Sequence, residues 1–233
     1  MPILNAEKYL PETLRSLKEN WLEGSELLVV DDGCTDRSIE LVADSALPGR
    51  TIRGEGCWPA AARNLALKQA CGRYVAFLDA DDLWPRDTLR LLLDTLRDGN
   101  GSERIVQGKV ETFADGPVAD TLKARLKTVP TYAVNLGSAL FRKGDLDQLG
   151  GFDETLRFDE DTDLWLRCWE AGLSKKLVPE VTLRYRLHQD NMTRDAQSNS
   201  RALLPLIKRH RDRIKGRQPL CSQGLADYLG WTS

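Results

Sequence analysis

Tyr74-Val75-Ala76-Phe77-Leu78-Asp79-Ala80-Asp81-Asp82 runs a short greasy stretch straight into three carboxylates. The apolar run is too short for a helix and is bounded by Gly72 and Pro85, so it reads as a buried strand over Tyr74 to Leu78. The same grammar occurs upstream, where Glu26 to Val30 ends in Asp31-Asp32-Gly33-Cys34-Thr35-Asp36. Helical signals separate the strands. Pro59 to Ala70 has proline in its first turn and Gly72 just beyond its end. Arg86 to Arg97 sets Leu89, Leu92, Leu93 and Leu96 at helical spacing. Asp36 is positioned to cap a third helix, with Ile39, Val42 and Ala43 on one face. Thr51 to Arg53 and Ile105 to Thr112 read as further strands. This alternation predicts an α/β fold, with a doubly wound, mainly parallel sheet flanked by helices. Ligands of such sheets sit beyond the carboxyl ends of the strands, where both acidic clusters fall.

After Thr112 the rhythm changes. Ala114 to Tyr132 carries no clear period. Gly137 to Arg142 reads as a strand, and Asp145 to Gly151 as a short helix stopped by glycine. Asp161 to Ala171 reads as a helix rich in Trp165, Leu166 and Trp169, and Val181 to Leu187 as a strand. The last forty or so residues form a helical tail holding Lys208, Arg209, His210, Arg211, Arg213, Lys215 and Arg217.

Composition bounds the function. A chain of 233 residues with 41% apolar side chains can bury about 70% of its unfolded surface and needs no staples. Its 33 basic and 35 acidic residues argue against a nucleic-acid partner. No apolar run is long enough to span a membrane. Cys34, Cys57, Cys71, Cys168 and Cys221 are scattered and odd in number, which fits a reducing cytosol better than a disulfide framework or a zinc ribbon. The phosphate-loop pattern, the third glycine of a dinucleotide fingerprint and a G-x-S-x-G elbow are all missing.

The acidic clusters suggest chemistry. Asp79 and Asp81, two apart on an extended strand end, should project to one side, and a hard divalent ion is the natural neutraliser of two adjacent carboxylates. The plainer alternative is helix capping near Trp84-Pro85. Asp82 alone could serve there, which would leave Asp79 and Asp81 free. After Val30, two acids in a row exceed what the turn at Gly33 needs, and a carboxylate there could accept hydrogen bonds from a ribose or a base. Arg63, on the small-residue helix Pro59-Ala60-Ala61-Ala62-Arg63-Asn64, could reach a phosphate or base, or could be a solvated helix charge. Asp159-Glu160-Asp161-Thr162-Asp163 packs four acids at a helix start, more than the helix dipole requires, and one would suit a general base. His188 becomes a metal ligand only if the fold brings it to Asp81.

Together these segments resemble the family 2 glycosyltransferases, which have the GT-A fold. The matching pieces are Pro2 to Leu10, Val29 to Asp36, Ala61 to Asn64, Phe77 to Pro85, Gly150-Gly151-Phe152-Asp153-Glu154 and Glu160 to Arg167, in the family's order across roughly residues 1 to 192. The resemblance implies that residues 1–112 form the nucleotide-sugar-binding half of one domain. Residues 113–192 would be its acceptor-binding and catalytic-base half, and 193–233 a basic helical tail. By the same resemblance Asp32 contacts the base, Pro2 and Leu4 line its pocket, Arg63 assists there, and Asp79 holds the ribose or lies near the metal. Asp81 binds Mn²⁺ or Mg²⁺, with His188 near the metal or diphosphate, and Asp161 is the catalytic base. The implied reaction is an inverting transfer from a nucleoside-diphosphate sugar, UDP-linked by resemblance, to the hydroxyl of a saccharide or lipid-linked acceptor in surface polysaccharide or glycolipid synthesis.

Two departures stand out. The family's first strand is represented only by its last step, Met1-Pro2, which is expected to weaken the sheet and the base pocket. Trp58 stands where many relatives carry glycine. The rival readings are a non-catalytic nucleotide-binding relative and a sugar-phosphate nucleotidyltransferase, although the latter's basic glycine-rich N-terminal loop is not present. The tail mixes Leu203, Leu204, Leu206, Ile207 and Ile214 with its basic run. It reads either as a helix packed on the domain or as a peripheral contact with the inner face of a membrane.

Overall fold

A computed structural model describes residues 1–54, 56, 58–99, 101–116, 126–191, 196–216 and 220–231, with the backbone alone for 196–204. Residues 117–125 of the unassigned stretch at 114–132 therefore lie outside the described residues. Strand β1 (Pro2–Ile3) pairs in parallel with β2 (Leu27–Asp31), Pro2 opposite Val30 and Ile3 opposite Asp31. β2 pairs in parallel with β3 (Gly49–Arg53). A second sheet has the order β4-β6-β5-β7, built from β4 (Tyr74–Ala76), β5 (Ile105–Ala114), β6 (Ala139–Arg142) and β7 (Lys175–Leu187). β5 and β7 are parallel, whereas β6 runs antiparallel to both its neighbours. The α/β architecture with flanking helices is the one expected, with this one reversed strand set into it.

The helices are α1 (Leu10–Glu19), α2 (Ser38–Asp44), α3 (Pro59–Gln69), α4 (Thr88–Asp98), α5 (Lys143–Gln148), α6 (Glu160–Glu170), α7 (Ala196–Ile214) and α8 (Leu225–Leu229). β1 is only two residues long, and among the described residues no ladder joins it to β4. Apolar packing spans the gap instead. Ile3, Leu10, Leu14, Val29, Leu78 and Trp84 form one buried cluster drawn from β1, α1, β2 and the segment after β4. A second core runs as a chain of aromatic contacts. Phe77 meets Phe152 at 5.3 Å and Phe141 at 5.9 Å, Phe141 meets Trp165 at 5.2 Å, and Trp165 meets Tyr228 at 6.1 Å.

The tail is part of this core. Tyr228 of α8 is fully buried, and Lys175 donates to its carbonyl while lying 4.7 Å from the Trp165 and Tyr228 ring centres. On α7, Leu206 is buried, and the basic residues face acids of the domain. Arg213 bonds Asp163 at 3.0 Å and Glu170 at 2.7 Å, His210 bonds Glu170 at 2.6 Å, and Arg209 pairs with Asp153. Lys208, Arg211 and Lys215 stay exposed. No described helix is long and apolar enough to cross a membrane.

Two local expectations are corrected. Asp36 does not cap α2. Its Oδ1 accepts from Ser38 N at 3.0 Å, and its Oδ2 accepts from Glu7 N at 3.0 Å, so it ties the loop after β1 to the helix entry. β7 starts at Lys175, six residues before Val181, because an edge strand tolerates Pro179. Its partner β5 shifts register on both sides of Gly108 and Lys109. At Gly108 an added Cβ would lie 2.3 Å from Thr182 Cγ2 and 2.8 Å from the Glu180 carbonyl oxygen. Gly108→Ala should therefore destabilise the fold by about 1–3 kcal/mol, read as a lower urea midpoint at unchanged slope.

Candidate active site

The site is assembled where strand ends meet loops. At the end of β2, Asp31 is spent on the turn. Its Oδ1 accepts from Cys34 N at 2.8 Å and Gly33 N at 3.1 Å, bonds that draw its pKa down. Asp32 is half-buried, and its backbone N donates to Ile3 O at 2.9 Å. Gly54 approaches it so closely that a Cβ there would lie 2.8 Å from Asp32 Oδ1. Pro2 is half-buried on β1 and Leu4 is exposed just beyond it, so both border the edge that carries Asp32.

The acidic tip after β4 is a turn, not an extended end. Asp82 N donates to Asp79 O at 3.3 Å, and the carboxylates diverge to different partners. Asp79 takes Arg63 Nη2 at 2.8 Å, while Asp81 Oδ2 lies 2.8 Å from His188 Nε2. Nor does Asp82 cap α4, which starts later at Thr88 after Asp87 in a left-handed conformation (φ 66°). Asp82 is buried and accepts from Arg186 N at 2.9 Å. Burial, then Asp81 and Asp79, hold its carboxyl well above the ordinary range. The tip is clamped from two sides. Thr13 of α1 donates to Ala80 O at 2.9 Å, and Asn20 donates to Pro85 O at 2.9 Å. Opposite them, buried Arg186 donates through Nε to Asp81 O at 2.7 Å and pairs with Glu12 and Asp115. Arg186 was not singled out by sequence reasoning; its one signal is an arginine inside a strand that also carries Tyr185 and Leu187.

His188 is buried, its ring 4.2 Å from that of Tyr9. Its Nδ1 accepts from Asp190 N at 3.2 Å, so a neutral ring carries its proton on Nε2, facing Asp81. Among the described residues no three His, Cys, Asp or Glu side chains converge on one point. A hard cation that takes one or two carboxylates and completes its shell with substrate phosphates does not need three. The partly exposed Asp81 carboxylate fits that half-site, with His188 beside it.

The second wall is the start of α6. Its four acids have separate fates. Asp163 is fully buried between Arg167 at 2.7 Å and Arg213 at 3.0 Å, a structural pairing. Asp159 precedes the helix at φ 60°, and its Oδ2 is buried without a partner among the described residues. Glu160 accepts from Arg63 Nη1 at 2.5 Å. Asp161 makes no ion pair among the described residues and accepts only from the N (2.6 Å) and Oγ1 (3.3 Å) of Thr162. Burial first, then Glu160, push its pKa to about 7, while Arg63 pulls it down.

Arg63 is thus not the outward-pointing charge expected of α3. It is 7% exposed, and its fork joins Asp79 to Glu160. Burial opposes its charge, but Asp79, Glu160 and Asp161 together outweigh that and hold it firmly protonated. The fold therefore links the Asp79–Asp81 tip to Asp161 through one guanidinium. Asp32, Pro2 and Leu4 share the neighbouring strand edge.

The sequence model of Glycosyl transferase family 2 matches residues 1–144. The chain is 30% identical over 200 residues to the UDP-Glc:alpha-D-GlcNAc-diphosphoundecaprenol beta-1,3-glucosyltransferase WfgD of Escherichia coli, covering 83% of this chain and 78% of that one. Its fold is similar to that of S. aureus TarS 1-349 in complex with UDP-GlcNAc, with TM-score 0.75 at 20% identity, over 97% of this chain and 67% of that one. It is also similar to the mannosyltransferase PcManGT of Pyrobaculum calidifontis in complex with GDP-Man and Mn2+, with TM-score 0.68 at 22% identity, over 92% and 65%. The chain spans 17% to 39% of the length of the first curated relatives it matches.

Removing the central cation tests this geometry. Arg63→Met should cost about 2–3 kcal/mol, less than for a fully buried pair because Asp79 is 43% exposed. It should also raise the Asp161 pKa above about 7, because the lost charge favours the carboxylate. Urea unfolding reads the first effect, and carbon NMR of the aspartate carboxyls reads the second.

Proposed function

The chain belongs to glycosyl transferase family 2, and from that premise we propose that it moves a sugar from a nucleoside diphosphate to an acceptor hydroxyl with inversion at the anomeric carbon. The observation that carries this reading is the Arg63 bridge, which sets a carboxylate of raised pKa beside an acidic strand tip.

Asp32, with Pro2 and Leu4, takes the base, and Asp79 the ribose. Asp161 takes the proton of the acceptor hydroxyl as its oxygen attacks the anomeric carbon. A carboxylate near pKa 7 is a far stronger base than an ordinary aspartate and is still about half ionised at neutrality. A divalent cation held by Asp81, with His188 beside it, would supply charge neutralisation at the departing diphosphate. Uridine is the nucleoside we favour, and a lipid-linked saccharide of a surface polysaccharide the acceptor. Support comes from the Escherichia coli relative, whose name gives both a UDP-sugar donor and a diphosphoundecaprenol-linked acceptor. Mn²⁺ in the complex of the Pyrobaculum calidifontis enzyme is consistent with the metal half-site. Exposed Lys208 and Arg211 on α7, and Lys215 just beyond it, would face anionic lipid at the inner membrane surface, where such acceptors lie.

The test is release of nucleoside diphosphate from a panel of nucleotide sugars with Mn²⁺, beside thermal shifts for donor binding. Asp161→Asn should lose about 10²–10⁴-fold in transfer and keep the donor-induced rise in melting temperature. Asp81→Ala should lose the Mn²⁺-dependent part of that rise. Because the base acts deprotonated, transfer by the unmodified chain should climb with pH up to about 7 and then level. Full transfer by Asp161→Asn would refute the assignment.

A further inference from the structure

We propose that the indole of Trp58 is a stacking platform for a pyranose ring of the acceptor saccharide, a role that rests on the transfer reading above. Trp58 immediately precedes α3, five residues before Arg63, and Phe158 lies three residues before Asp161. The two loops that these residues occupy are bridged twice. The Arg63–Glu160 ion pair at 2.5 Å is one bridge, and the Trp58–Phe158 ring contact at 6.4 Å and 56° is the other.

The first bridge is buried and complete within the protein. The second is not. Trp58 is 43% exposed, whereas Phe77, Phe141, Phe152 and Trp165 in the adjoining core are all buried. The Arg157 guanidinium lies over the Trp58 ring, 4.9 Å from its centre, so it covers one face of the indole and leaves the other to a ligand. The proline that follows at residue 59 fixes the backbone at the helix entry. A half-exposed indole held by Phe158 and, on one face, by Arg157 offers its other face as a flat apolar surface on the loop that leads to Asp161. The C–H face of a sugar ring matches it, leaving the hydroxyls to polar groups and one of them to Asp161.

The position favours acceptor over donor. Of the donor groups, Asp79 takes one nitrogen of the Arg63 fork, while the other goes to Glu160 at the start of the helix that carries Asp161, and Phe158 leads directly into that helix. The competing occupant is a nucleotide base, because the loop that ends at Trp58 starts at Gly54 against Asp32.

The experiment uses the whole chain labelled with fluorotryptophan. Six fluorine signals are expected, one per tryptophan, and Trp58→Phe identifies the one that matters. The probes are methyl β-glucopyranoside, diacetylchitobiose and, separately, UDP with Mn²⁺. We expect the Trp58 signal to move with the saccharides and to stay in place with UDP. Trp58→Ala should bind the saccharides about tenfold more weakly, a loss of about 1.4 kcal/mol, with Trp58→Phe in between. A Trp58 signal that ignores both saccharides, or that follows UDP instead, overturns the proposal. The titration requires no transfer. A chain that stacks saccharides yet consumes no nucleotide sugar keeps the platform and refutes the transferase reading, and a transferring chain with a silent Trp58 does the reverse.

Discussion

One buried guanidinium organises this molecule. Arg63 rises from the second turn of α3 into a space bounded by the tip after β4 and the start of α6, and each of those elements brings it a carboxylate. Without it, Asp79, Glu160 and Asp161 would repel one another in a poorly hydrated pocket. With it, the two walls are held in register by charge-assisted hydrogen bonds of 2.8 and 2.5 Å. Such a pair adds little net stability, because desolvation consumes much of the Coulombic gain. Its value is geometric, since carboxylates more than 80 residues apart in sequence are fixed relative to one another.

The opposite flank solves the same problem with a second arginine. Arg186 meets Glu12, Asp115, the Asp81 carbonyl and, through its own N–H, the buried Asp82. The tip thus hangs between two cations on two different elements, and α1 pins its backbone from above through Thr13 and Asn20. This suspension frees the carboxylates of Asp79 and Asp81 from backbone duty. It also explains why Asp82, the residue best placed by spacing to cap a helix, is drawn inward instead. Left-handed Asp87 and Asp159 mark where the chain leaves this frame and enters α4 and α6. Each conformation costs of order 1 kcal/mol and persists because the neighbouring contacts dictate it.

Much of the frame was legible before any coordinates. Apolar runs ending in acids located β2 and β4, because an apolar strand and the polar loop beyond it differ sharply in hydropathy, but β2 runs one residue further, to Asp31, and β4 stops at Ala76, two residues before Leu78, and is only half-buried. Helix periodicity located α3 and α4 to within two residues. The long-range polar partners were illegible. Nothing local in Pro59 to Ala70 says that Arg63 turns inward, because a helical arginine is buried only if carboxylates from elsewhere meet it, and both partners lie on other elements. Arg186 was missed for the same reason. The divergence of Asp79 and Asp81 was misread because a D-x-D looks the same on a strand and in a turn. Of the four acids before Trp165, sequence could say only that they were too many. Ion pairing to Arg167 and Arg213 removes Asp163, and Arg63 removes Glu160.

That sorting leaves Asp159, whose Oδ2 is buried without a partner among the described residues, and Asp161, and for Asp161 thermodynamics says what its burial means. Its folded pKa of about 7 lies above the value near 3.8 expected of the open chain. Between those pH values the folded state holds a proton that the unfolded state has released, so stability falls as pH rises through the window and stays reduced above it. The fold is therefore least stable where the carboxylate is ionised. The cost originates in burial and in Glu160, the same two causes that raise its basicity. Arg63 moderates it, holding Glu160 and drawing the Asp161 pKa part of the way back down. A base strong enough to take a proton from a hydroxyl and still about half ionised at neutral pH needs both influences, and α3 supplies the second from the turn whose Asn64 side chain also fastens Phe152 and Glu154.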